Sequence, residues 1–131
     1  MNDQPHTRGG FFTIAAWQRA DDLAVKIYQT TKNFPSSERY GLTSQMQRAA
    51  VSVAANIAEG SGRQTLADYI RFLYIAKGSL TEVEYYIHLA NRLGYLSSEQ
   101  NNQLNRLQRM TAGALNGFIG FKQNQRQQQN D

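Results

Sequence analysis

The chain has 131 residues, 40% of them hydrophobic and 18% charged, with a net charge of +4, a mean hydropathy of −0.59 and no cysteine. That is enough apolar material for one core but not two, and the lack of cysteine excludes disulfides, thiolate catalysis and cysteine-held zinc or iron–sulfur clusters while suiting a reducing, cytoplasmic setting. No apolar run approaches the ~18 residues of a membrane span, and Phe11 to Trp17 lacks the charged lead-in and length of a secretory signal, so neither a membrane association nor export is expected.

Residues 1–12 are polar at first, contain Pro5 and a Gly-Gly pair, and are expected to form a flexible N-terminal segment. From about Ile14 to Lys32 the residues Trp17, Ala20, Leu23, Ala24, Ile27 and Tyr28 recur at spacings of three and four, predicting a first helix that Pro35 ends. A second helix is predicted from about Thr43 to Glu59, stopped by Gly60, Ser61 and Gly62. Thr65 with Asp68 three residues on reads as the start of a third helix, about Leu66 to Leu93, closed by Gly94. Ser97 with Gln100 gives a fourth start, and Leu104, Leu107, Thr111, Ala114, Leu115, Phe118 and Ile119 supply its apolar stripe. Four helices with short loops and no strand pattern predict an all-α, antiparallel up-and-down four-helix bundle over residues 13–122. The glutamine-rich run 123–131 has no apolar residue to bury and is expected to be a disordered tail.

Two helices carry more apolar surface than one bundle uses. In the third, Leu66, Tyr69, Leu73, Ala76, Leu80, Val83, Ile87 and Ala90 form a heptad seam, while Phe72, Ile75, Tyr86, Leu89 and Leu93 form a second stripe about 100° around the axis. In the second, Leu42, Met46, Ala49, Ala50, Val53 and Ile57 face one way and Val51, Ala54, Ala55 and Ala58 another. A helix apolar on two sides is normally covered on two sides, so Val51, Ala54, Ala55, Ala58, Phe72, Ile75, Tyr86, Leu89 and Leu93 are the candidate oligomer interface. The polar strip Arg48, Ser52, Asn56 and Glu59, with Lys77 and Glu82 as partners across the packed surface, is expected to fix register through hydrogen bonds and ion pairs rather than to catalyse. Gly78, in mid-helix, is expected to admit a neighbouring backbone.

The remaining motifs are thinner. Gly60-Ser61-Gly62-Arg63 lacks the preceding strand and glycine spacing of a phosphate-binding loop and reads as a cap. Neither Glu-x-x-His pair of a di-iron bundle exists, His88 is a lone histidine on the solvent side, and there is no Gly-x-Ser-x-Gly elbow. No catalytic residue, metal or cofactor is therefore assigned, and no small-molecule substrate is expected. Charge is the last clue: residues 1–99 hold ten basic and nine acidic groups, whereas 100–130 hold Arg106, Arg109, Lys122 and Arg126 and no acid. These four are the candidate nucleic-acid contacts; without a recognisable stacking motif, binding is expected to follow the phosphate backbone and to gain strength from oligomerisation.

The segments Gln45, Arg48-Ala49-Ala50-Val51-Ser52-Val53 and Asn56-Ile57-Ala58-Glu59-Gly60, then Arg63, Phe72-Leu73, Ile75-Ala76-Lys77-Gly78-Ser79-Leu80 and Glu82, resemble the four-helix bundle proteins encoded in intervening sequences of bacterial 23S ribosomal RNA genes. The likeness spans about Trp17 to Ile119, including Phe34-Pro35, Tyr40-Gly41-Leu42 and Gly94-Tyr95-Leu96; Ala54-Ala55 ahead of Asn56 departs from the proline or serine often found there. The resemblance implies a homo-pentameric ring and no catalytic activity. A related group, the accessory proteins of diversity-generating retroelements, contacts a reverse transcriptase and nucleic acid through a basic surface. Together these point to a non-catalytic homo-oligomeric adaptor whose partners are its own copies and RNA or a nucleic-acid-bound protein; the alternative is a protein–protein scaffold without nucleic acid.

Overall fold

The last two helices start where capping chemistry places them. Thr65 Oγ1 accepts from the Asp68 backbone N–H at 3.1 Å, and Ser97 and Gln100 form the full reciprocal box: Gln100 N–H donates to Ser97 Oγ and Ser97 N–H to Gln100 Oε1. The computed structural model describes residues 8–130, in which the helices are α1 (Ala15–Thr31), α2 (Leu42–Ser61), α3 (Leu66–Arg92) and α4 (Ser98–Asn130), these signals opening α3 and α4, with short 3-10 turns at Gly10–Thr13 and Ser36–Glu38. Gly94 adopts a left-handed φ of 79° just past α3, a conformation costly for any residue with a Cβ.

Each helix packs against its sequence neighbours, α4 closes against α1, and the α2–α3 joint is the most extensive. This is a four-helix bundle. Its core consists of the residues whose periodicity marks them for it: Leu23 and Ile27 of α1, Met46, Val53 and Ile57 of α2, Leu73, Val83 and Ile87 of α3, and Leu104 and Leu115 of α4 are fully buried. Tyr28 is the exception in α1, lying outside at 45% exposure. Buried Thr31 and Thr111 satisfy their hydroxyls on the carbonyls of Ile27 and Leu107, one turn back.

At one end of the bundle the α1–α2 and α3–α4 loops are pinned together. Glu38 accepts the Leu42 backbone N–H at 3.1 Å and the Tyr95 hydroxyl at 2.8 Å, while the Tyr95 ring packs on Phe34. These bonds hold the Glu38 carboxyl below its ordinary pKa, the Leu42 amide foremost, and the carboxylate in turn raises Tyr95.

Both termini differ from the sequence-based expectation. The first seven residues of the flexible segment expected over 1–12 lie outside the described part; after them Phe11 stacks on Phe12, and both pack against Trp17 with ring centroids 5.1 and 4.8 Å away. At the other end α4 continues through the glutamine-rich run to Asn130. Glutamine is a good helix former, so a run with nothing to bury can still extend a helix that packing has nucleated further back.

Candidate functional site

The stripe assigned to self-association divides in the structure. Val51, Ala55, Ile75 and Leu93 are exposed, with Val51, Ile75 and Leu93 at 44%, 41% and 49%. Ala54, Ala58, Tyr86 and Leu89 are half-buried against the bundle core. Phe72 contradicts its assignment, being buried at 8%. It sits where α2 passes close to α3: a Cβ built on Gly60 would stand 3.0 Å from both Phe72 Cβ and Tyr69 Cδ1. The Arg63 and Arg71 guanidiniums cover its ring, each 4.5 Å from the centroid. Asp68 holds both arginines, with Oδ1 2.9 Å from Arg71 Nε and Oδ2 3.5 Å from Arg63 Nε. Glycine is required at this close approach, at Gly60 and not at Gly78, where an added Cβ meets nothing within 4 Å.

The polar strip is only partly a unit. Ser52 and Ser79 share a hydrogen bond of 2.8 Å across the α2–α3 joint, and Asn56 Nδ2 donates to the Ser52 carbonyl and hydroxyl. That hydrogen-bonded seam joins α2 to α3 through Ser79, a residue outside the strip drawn from the sequence. Arg48, Glu59 and Glu82 are exposed, and Glu59 meets Arg63 at 3.8 Å. Lys77 lies on the opposite flank of α3, beside the Tyr74 ring.

The four basic residues also separate. Arg106 and Arg109 are exposed on the outside of α4, where they line a shallow groove with Glu99, Asn102 and Gln103. Lys122 does not join them. Its ammonium packs over the rings of Tyr69, Phe118 and Phe121 at 4.8, 5.4 and 5.7 Å, and it is half-buried. Sixteen positions on from Arg106 along a helix rising 1.5 Å per residue, it is also ~24 Å away. Burial beside this cluster raises the Tyr69 pKa. Arg126 is exposed one turn further on, in a groove of about 480 Å³ with Ile70, Gln123, Asn124 and Gln127.

Among the described residues no group of three or more His, Asp or Glu side chains comes together as around a metal ion, and no helix is long and apolar enough to cross a membrane.

Residues 13–117 match the model of a family described as 23S rRNA-intervening sequence protein. The chain is also similar to a protein of unknown function from the S23 ribosomal protein family of Bacteroides thetaiotaomicron VPI-5482, solved by crystallography: the two are 28% identical, and the match covers 80% of this chain and 98% of that one with a TM-score of 0.72. No curated protein matches.

Proposed function

Because the chain belongs to the 23S rRNA-intervening sequence protein family, we propose that it is a non-catalytic adaptor of the cytoplasm that assembles into a ring of five copies and presents their pooled positive charge to RNA. The observation that carries this reading is the length of α4, along which Arg106, Arg109 and Arg126 are exposed and no acidic residue follows Glu99 within the described helix. Three cations per chain bind a phosphate backbone weakly, and repetition around a ring multiplies them. Assembly has its own support in the exposed Val51, Ala55, Ile75 and Leu93 beside half-buried Tyr86 and Leu89, all on the outer sides of α2 and α3.

The reading is tested by fluorescence anisotropy with the intact purified protein and a labelled RNA. Binding should be clear at about 50 mM salt and collapse by about 200 mM, as release of condensed counterions requires. Absence of binding at the lower salt contradicts it and leaves a protein–protein scaffold as the better description.

A further inference from the structure

The α3–α4 side of the bundle has a composition that a merely solvated surface does not call for. Residues seven apart on a helix lie almost in line: the rows Lys77, Glu84, Asn91 and Tyr74, Thr81, His88 run along the α4 side of α3, and Gly78, Tyr85, Arg92 run along its outer face beside them, all exposed. The adjoining row of α4 is Asn102, Arg109, Asn116 and Gln123, also exposed. Two rings stand out of this surface, Tyr74 at 47% and Tyr85 at 56% exposure. Single exposed aromatics are ordinary, but these two share a strip and each has polar support. Gln123 Nε2 donates to the Tyr74 hydroxyl at 2.8 Å, the Lys77 ammonium lies 5.9 Å from the Tyr74 ring, and the His88 ring lies 6.3 Å from that of Tyr85. Between them Gly78 leaves the backbone bare, with open space where a side chain would stand.

The charge on this side is predominantly positive. Lys77, Arg92, Arg109 and Arg126 have no ion-pair partner among the described residues, against Glu84 on the seam and Glu99 in the groove beside Arg109. A second copy offering the same face would be repelled, whereas a polyanion with unpaired bases complements both features at once.

We propose that this face binds single-stranded RNA, Tyr74 and Tyr85 serving as stacking platforms for bases and Lys77, Arg92, Arg109 and Arg126 as contacts to phosphates. The proposal rests on the RNA-adaptor reading and adds to it the surface and the strand type. Duplex RNA keeps its bases stacked inside and is met through its backbone and 2′-hydroxyls, so exposed rings have little to offer it; an unpaired strand presents a π-face at every base. The two tyrosines are eleven residues apart, ~16 Å along the helix at 1.5 Å per residue. They therefore engage bases separated by several nucleotides, about five at the stacked spacing of ~3.4 Å. The face lies around α3 from Ile75 and Leu93 and meets the apolar side where the Tyr85 ring lies 5.9 Å from that of Tyr86.

The test compares an unstructured RNA of about 15 nucleotides with the same sequence annealed to its complement, at low salt, by anisotropy on the intact protein. The unpaired strand should bind at least about fivefold tighter. Tyr74→Ala and Tyr85→Ala should each weaken it by about fivefold or more, whereas Tyr74→Phe and Tyr85→Phe, which keep the ring, should bind as the natural protein does. Both side chains are outside the core, and unchanged circular dichroism of the alanine variants confirms that folding is not what was lost. Equal binding of the two RNAs with no effect of the alanine variants overturns the stacking face and leaves the adaptor reading standing. Failure to bind either RNA overturns the adaptor reading itself.

Discussion

Helix α3 has two outer flanks built on opposite chemistry. Toward α2 its rows run Phe72, Ser79, Tyr86, Leu93 and Ile75, Glu82, Leu89; away from α2 they run Gly78, Tyr85, Arg92 and Tyr74, Thr81, His88. The core seam between them is the same for both, so the difference is not one the bundle needs in order to fold. The α2 flank is partly absorbed by the fold, since Phe72 and Ser79 are buried and Tyr86 and Leu89 half-buried, leaving Ile75, Glu82 and Leu93 as its exposed remainder. On the other flank none of those six residues is buried. A corner helix therefore offers the solvent two independent surfaces, and which partner each one takes follows from its own residues rather than from the architecture.

The sharpest way to break the comparison is to charge the apolar flank. Ile75→Glu combined with Leu93→Glu should abolish assembly while leaving helicity intact, because both side chains are well exposed in the single chain; unchanged mass in light scattering would show that this flank is not where copies meet. Phe72 is unsuitable for this purpose, since a charge there would be buried and would unfold the α2–α3 joint. Gly60→Ala comes next. Its new Cβ has only 3.0 Å to Phe72 Cβ and Tyr69 Cδ1, so the joint must open, at about 1–3 kcal/mol by chemical denaturation. Gly78→Ala on the other flank should do the reverse and stabilise the protein by about 0.5–1 kcal/mol, since nothing stands in the way of the methyl group and mid-helix glycine is unfavourable. A loss of stability would mean that something occupies that space. Arg106→Gln with Arg109→Gln should leave the mass unchanged and lower the salt slope of RNA binding by about 0.7 for each phosphate contact removed; an unaltered slope would remove these two from the interface.

The smallest effect is reserved for a site on neither flank. Glu38 titrates below its ordinary value of 4.5, so its bonds add stability above that pH which is lost as pH falls through the lowered folded pKa. Tyr95→Phe removes the hydroxyl that contributes to this shift. The difference in melting temperature between the two proteins should shrink as pH drops from about 5 toward 3. A difference that stays constant would mean the bond is not what lowers the carboxyl.

Much of the fold was legible because its signals are local. Capping pairs such as Ser97 with Gln100, and the heptad of α3, specify helix limits and the buried side without reference to anything distant. The candidate surfaces were less legible because exposure is a property of the packed pair. Phe72 lies on the same wheel sector as Ile75, yet the bare backbone of Gly60 draws α2 over it. Lys122 counts as a cation in a basic run, but an inward position on α4 places it over three rings. Tyr74 carries no signal in the periodicity, and its partner Gln123 comes alongside only once α4 packs against α3.

The central claim, that α3 holds a different partner on each outer flank, is tested most directly by the light-scattering mass of the natural protein with and without the unpaired RNA. The account predicts a mass several times that of the 14.8 kDa chain, to which bound RNA adds without dividing the assembly. A 14.8 kDa species in the absence of RNA, or an assembly that RNA takes apart, would contradict it.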